Sequence, residues 1–155
     1  MRPLWTETRR TCWAYSPGGH LAELERATAG IRFADRFDVT FAGGRPPQEA
    51  PRRVYLVCHP RRSVVRTLRN AARSLLNVLR ERPRLVISTG ADVAVAVCIL
   101  ARLLGARLVF IETAGELAPT LAGRLVYPFA DLFVVQWPDK ADSFPRAVVA
   151  SGPLL

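Results

Sequence analysis

Ser16-Pro17-Gly18-Gly19-His20 sets a hydroxyl, two glycines and an imidazole where an apolar run beginning at Thr11 gives way to a helical pattern. A strand that empties through glycines onto a helix N-terminus presents free backbone N–H groups and the positive end of a dipole, which suit a phosphate. Histidine exchanges its proton near neutrality, so His20 is a candidate general base toward a sugar hydroxyl. A plain strand-to-helix turn fits the same residues, and both accounts stay open. A second patch, Ser88-Thr89-Gly90-Ala91, follows another apolar run. After a third, Ile111-Glu112-Thr113-Ala114-Gly115-Glu116 offers two carboxyl groups to bind sugar hydroxyls or to orient His20. His59, next to Pro60 at a strand end, reads as structural.

The elements that position these residues follow from periodicity. Apolar strand patterns are expected at Thr11 to Ser16, Phe37 to Phe41, Arg53 to Cys58, Leu85 to Ser88, Arg107 to Glu112, Leu132 to Gln136 and Ala147 to Ala150. Helical patterns fall at residues 20 to 30, Arg62 to Arg82, Asp92 to Leu104 and, as a short turn, Gly123 to Ala130. Alternation of this kind predicts an α/β fold, Rossmann-like, with a mainly parallel sheet and helices on both faces. In such sheets ligands sit beyond the carboxyl ends of the strands, near the point where strand order reverses. Ser16 to His20, Gly43 and Gly44, Thr89 to Asp92 and Glu112 to Glu116 all fall there. The dinucleotide fingerprint and the P-loop pattern are both absent, which disfavours nicotinamide binding and triphosphate hydrolysis.

With 155 residues, half of them apolar, the chain fits one domain at 11–155 after a basic tail at 1–10. Its three cysteines have no paired metal spacing, so buried reduced thiols in a cytosolic compartment are expected. Neither a signal peptide nor a spanning helix is apparent. The net charge is +9, carried almost wholly by arginine because Lys140 is the only lysine. Such a charge favours polyanionic partners. No nucleic-acid motif is present and the aromatics are not interleaved with the arginines, so nucleic acid is disfavoured.

The longest helical pattern carries the most charge. At 100° per residue Arg62, Arg66, Arg69, Arg73 and Arg80 share a stripe roughly 60° wide, beside an arc of Val64, Val65, Leu68, Ala72, Leu75, Leu76 and Leu79. A helix docked on the sheet with a solvated basic face is one account. An amphipathic helix at an anionic membrane surface is another, and the two are compatible if one edge packs inward while the arginines face headgroups.

Ser16-Pro17-Gly18-Gly19-His20-Leu21, Ile87-Ser88-Thr89-Gly90-Ala91, Phe110-Ile111-Glu112 and the stretch from Gly123 to Trp137 together resemble the family of asparagine-linked glycosylation protein fourteen and its bacterial PssD and CpsF relatives. The resemblance runs from about Thr11 to Pro153. It implies the acceptor-side, MurG-like N-terminal half of a GT-B glycosyltransferase, completed by a separate donor-binding subunit. The expected activity is metal-independent, inverting transfer of a sugar from a nucleotide sugar to a polyprenyl-diphosphate-linked acceptor, in assembly of cell-surface polysaccharide, with no cofactor. No Asp-x-Asp motif is present, in keeping with that. The implied place is cytoplasmic, peripheral on the inner face of the plasma membrane, with little activity before the partner joins. By the same resemblance His20 and Glu112 are catalytic, and Ser16, Gly18, Gly19, Thr89, Gly90 and Thr113 line the acceptor and diphosphate site. The five helix arginines are the expected membrane contact. Thr113 stands where many relatives have serine, Gly115-Glu116 where they have arginine, and Pro17 where a small residue is usual. A self-contained nucleotide-binding regulatory domain of doubly wound fold is the alternative.

Overall fold

A computed structural model describes residues 4–152 and 154. Seven strands form one sheet, every neighbouring pair of it parallel: β2 (Thr11–Ala14), β4 (Arg36–Thr40), β5 (Arg53–Leu56), β6 (Leu85–Ser88), β7 (Arg107–Ile111), β8 (Leu132–Val135) and β9 (Val148–Val149). Their spatial order is β5-β4-β2-β6-β7-β8-β9. The chain builds outward from β2 to one edge, then returns to β6 and builds to the other, so the switch point lies between β2 and β6. The expected α/β, mainly parallel fold is what forms.

The helices are α1 (Gly19–Ala27), α2 (Val64–Glu81), α3 (Asp92–Leu103), α4 (Leu121–Val126) and the single turn α5 (Pro138–Ala141), with a 3₁₀ turn at Tyr127–Phe129. Two clusters of buried side chains cover the two faces. Cys12, Phe37, Val86, Val97, Leu108, Phe110 and Phe133 lie on the face beneath α2, α3 and α4. Trp13, Tyr15, Leu85, Ile87 and Ile111 lie with Leu21 and Leu24 of α1. Alternation along β2 explains the division, since Cys12 and Ala14 point one way and Trp13 and Tyr15 the other.

Two expectations are corrected. Residues 1–10 are not all tail: β1 (Trp5–Glu7) pairs in parallel with β3 (Ile31–Phe33) in a small second sheet, and Glu7 accepts from Arg9 at 2.8 and 2.6 Å. That pairing escaped a pattern search because three-residue strands carry no periodicity. The second correction concerns α2. Its buried residues are Asn70, Ser74, Val78 and Glu81, while Val64, Val65, Leu68, Leu75, Leu76 and Leu79 are exposed, Leu68 and Leu76 by about two-thirds. The buried stripe is centred roughly 145° from the apolar arc. Polar fastening explains the inversion, because the Asn70 amide donates to the carbonyls of Cys58 and Val93, and Ser74 donates to Asn70. At its C-terminal end Glu81 accepts from Tyr55 and Arg52 of the sheet edge.

The thiols also differ slightly from expectation. Cys12 and Cys98 are buried, and burial pushes the Cys12 thiol well up and the Cys98 thiol to about 12, whereas Cys58 is only half-buried.

Below α1 the buried ion pair of Arg36 and Asp38, at 3.1 Å, is joined by Tyr15, whose hydroxyl donates to Asp38 at 2.8 Å. The Arg36 guanidinium also lies 3.9 Å from the centre of the Trp13 ring. Burial raises the Asp38 pKa to about 6 even though Arg36 opposes it. An acid whose folded pKa lies above its ordinary value near 3.8 keeps a proton that the unfolded chain has already lost. Its contribution therefore weakens as pH rises from about 4 to about 6, by on the order of 3 kcal/mol. Urea unfolding at pH 4 and pH 7 should show that loss in the native protein, and Asp38→Asn should remove it. Glu7 works in the opposite sense, since Arg9 holds it at about 2 and its contribution is lost only as pH falls from about 4.5 toward that value.

Candidate active-site crevice at the strand switch point

Strand register brings Ala14 beside Ser88, so the chain segments leaving β2 and β6 run next to each other. Gly18 turns the first of them with φ 96°, a conformation that favours glycine, and it precedes α1 as an N-cap without a side-chain hydrogen bond. Open space surrounds Gly18 and Gly19, and Ser16 is half-buried. No side chain therefore crowds the start of α1 at these two glycines, where the first N–H groups of a helix have no partner within it.

His20 is held by the neighbouring segment. Its Nδ1 lies 2.9 Å from the Thr89 carbonyl, while the Thr89 hydroxyl donates to the His20 carbonyl at 2.6 Å. A carbonyl only accepts, so Nδ1 carries the hydrogen and the neutral ring keeps its lone pair on Nε2. The ring is about one quarter exposed. Gly90 completes this segment, its N–H donating to Ser88 Oγ at 3.0 Å. The structure therefore brings Ser16, Gly18, Gly19, His20, Thr89 and Gly90 to one place, with Thr89 fully buried as the clamp on His20.

Glu23 is the residue that pattern analysis overlooked. It is 1% exposed and its Oε1 accepts from the Ala114 N–H at 2.8 Å, Thr113 Oγ1 at 3.1 Å and Gln136 Nε2 at 3.3 Å. Its Oε2 has no hydrogen-bond partner among the described residues and lies 3.9 Å from His20 Nδ1. When Nε2 takes a proton, the ring gains a positive charge beside that oxygen. The sequence signal was present: Glu23 falls with His20, Leu24 and Ala27 within an arc of roughly 100°, a carboxyl group one turn from the histidine on a face otherwise made of Leu24 and Ala27.

Glu112 sits elsewhere than expected. It is fully buried behind the loop that follows β7, where its carboxyl group accepts from the Thr120 N–H at 2.7 Å and the Thr120 hydroxyl at 3.0 Å. Lys140, also buried, lies 3.5 Å from Glu112 and donates to the Thr113 carbonyl at 2.7 Å. Gln136 Nε2 donates to the Glu112 carbonyl at 2.9 Å and Trp137 Nε1 to the Ala114 carbonyl at 2.9 Å. Glu112 therefore ties this loop to α4 instead of facing the crevice, and Thr113 reaches the crevice through Glu23.

The same anchorage fixes Gly123, because a Cβ there would fall 2.2 Å from Glu112 Oε2. That oxygen is not free to move away from Thr120. Gly123→Ala is expected to cost about 1–3 kcal/mol, read as a lower melting temperature than that of the native chain.

The match with known proteins follows this geometry. The family model described as "Oligosaccharide biosynthesis protein Alg14 like" covers residues 52–153, about two-thirds of the chain. The chain belongs to that family. Among curated relatives, the UDP-N-acetylglucosamine transferase subunit ALG14 of Eremothecium gossypii is 38% identical over 94 residues, which is 52% of this chain and 42% of that one. The subunit of the same name from Mus musculus is 32% identical over 78 residues, 46% of this chain and 36% of its own. The Alg14-like chain thus matches less than half the length of these relatives. Its fold is shared with half-length portions of larger structures: a UDP-N-acetylglucosamine 2-epimerase at TM-score 0.71 and 12% identity, covering 94% of this chain and 49% of that one, and the MurG of Acinetobacter baumannii at TM-score 0.62 and 14% identity, covering 93% and 44%. The fold is that of the N-terminal type of half in such enzymes.

Proposed function

We propose that this Alg14-like chain is the acceptor-side half of a two-chain inverting glycosyltransferase. A partner subunit would hold the nucleotide sugar, and UDP-N-acetylglucosamine is the donor to which the names of the relatives point. The acceptor would be a sugar on a polyprenyl diphosphate, in cell-surface polysaccharide assembly. The observation that carries this is His20, whose Nδ1 is committed to the Thr89 carbonyl so that Nε2 alone is available as base at the switch point. In the reaction Nε2 takes the proton of the acceptor hydroxyl as its oxygen attacks the anomeric carbon. The nucleoside diphosphate departs from the opposite face, which inverts the configuration. Glu23 stabilises the charged ring, and Glu112 positions the loop bearing Thr113. Ser16, Gly18, Gly19, Thr89 and Gly90 shape the space for the reacting end of the acceptor.

Membrane recruitment belongs to the same reading. Among the described residues no helix is long and apolar enough to cross a membrane. The outward leucines of α2, flanked by Arg62, Arg66, Arg69, Arg73 and Arg80, instead suit a helix lying in the plane of an anionic surface. Each arginine near the lipid adds about 1 kcal/mol.

Reconstitution tests the reading. The chain, mixed with a donor-binding half and given UDP-N-acetylglucosamine and a short-chain polyprenyl-diphosphate sugar, should transfer the sugar, and either chain by itself should not. Full-rate turnover by this chain without a partner would overturn the division of labour.

A further inference from the structure

The carboxyl ends of β4 and β5 and the first turns of α2 border a shallow, open pocket of about 450 Å³ that the proposed reaction leaves unused. Phe41 and Val57 give it an apolar part, Cys58 and His59 line it, and Arg61, Arg66 and Arg69 supply three guanidinium groups. Among the described residues none of these three arginines is in a salt bridge, a condition they share with Arg62, Arg73, Arg80 and Arg82; what sets them apart is that they border one pocket. Guanidinium groups without a counter-ion at the border of a pocket attract an anion, and their planar donors match phosphate oxygens.

The backbone here is strained as well. Arg61 and Arg62 adopt φ 46° and 57°, left-handed conformations that crowd any Cβ. The turn is held by the Arg61 N–H donating to His59 Nδ1 at 3.2 Å, and the His59 ring stands edge-on to Phe41 at 5.1 Å. Position matters equally. Gly44, three residues past Phe41, abuts Pro17 of the glycine turn, where an added Cβ would lie 2.5 Å from the proline Cβ. On the other side α2 runs from Arg66 and Arg69 into its exposed leucines. The pocket therefore lies between the crevice of His20 and the outward face of α2.

We propose that this pocket binds the diphosphate of the lipid-linked acceptor, with the sugar directed to His20 and the polyprenyl chain along the apolar arc of α2. The inference rests on the acceptor-side reading above and moves the diphosphate from the glycine turn to the arginines. A diphosphate diester carries two negative charges, which three guanidinium groups can bind from more than one side.

Titration of the full chain with inorganic pyrophosphate tests the pocket with no partner and no transfer. Arg61→Gly relieves the left-handed strain while removing one guanidinium, so the melting temperature should not fall and affinity should drop about tenfold or more. Arg82→Gly is the matched control: Arg82 has φ 48°, stands at the far end of α2 and loses the same charge, and its affinity should stay within about twofold of native. Failure of the native chain to bind pyrophosphate, or equal affinities in the two variants, overturns the assignment. Neutral vesicles doped with farnesyl diphosphate, compared with phosphatidylglycerol vesicles of equal charge, separate the sources. Arg61→Gly should weaken binding to the first far more than to the second, and an equal loss on both overturns the choice of a lipid-linked diphosphate. A failed reconstitution would count against the transferase reading and leave these measurements standing.

Discussion

His20→Ala in the reconstituted two-chain enzyme is expected to lower kcat by about 10²- to 10⁴-fold, the span a positioned general base contributes. The protein should remain folded, because the ring is partly exposed and its loss deletes one hydrogen bond to the Thr89 carbonyl. His20→Gln retains a polar group but cannot take the proton and should be no more active. The pH profile separates a base from a spacer: in the native enzyme kcat/KM should fall at acid pH as Nε2 is occupied, and in the variants the residual rate should lack that limb. A profile unchanged by either substitution would leave the crevice without its base. Glu23→Gln supplies the companion measurement. It keeps one acceptor for the Ala114 N–H at Oε1 but replaces the oxygen 3.9 Å from the ring, so it should lower kcat more than it changes KM.

Equally large is the effect expected from Leu68→Glu with Leu76→Glu. Both side chains are about two-thirds exposed in the free chain, so the fold should tolerate the change, and melting should occur within a few degrees of the native protein. Inserted in a bilayer interface, two leucines contribute on the order of 3–6 kcal/mol. Their replacement by acids also opposes the arginine stripe beside them. Binding to vesicles containing phosphatidylglycerol should fall at least about 100-fold. A substantially destabilised double variant would show instead that these leucines are buried in solution, and unchanged vesicle binding would exclude α2 as the membrane face.

The sheet could be read from the sequence because its strands are continuous apolar runs and its turns are punctuated by glycine. The convergence of Ser16 to His20 with Thr89 and Gly90 followed from the position of those turns at strand ends. Three features were only partly legible. Glu112 carried the right type at the right place, yet the pattern cannot report that Thr120 and Lys140, 8 and 28 residues further on, return to occupy it. Glu23 stood among apolar residues without a visible partner, since Thr113 and Gln136 are supplied by the far side of the sheet. For α2 the period was correct, and the facing stayed open between docking on the sheet and lying at a membrane surface. Amphipathicity finds the two sides of a helix but assigns the apolar one inward by default, and here Asn70 and Ser74 make the attachment with hydrogen bonds.

Lys140 carries the sole side-chain amine in the sequence, and it is 1% exposed, closed in by Glu112 and the Thr113 carbonyl. Acylating reagents aimed at lysine therefore reach no side-chain amine on the folded surface, whatever they do at the chain's α-amine, and modify Lys140 only when the loop after β7 lifts. The rate of that modification times the opening of the segment beside the crevice, and slower labelling on addition of a partner or an acceptor would register the loop closing, with no engineered reporter in the chain.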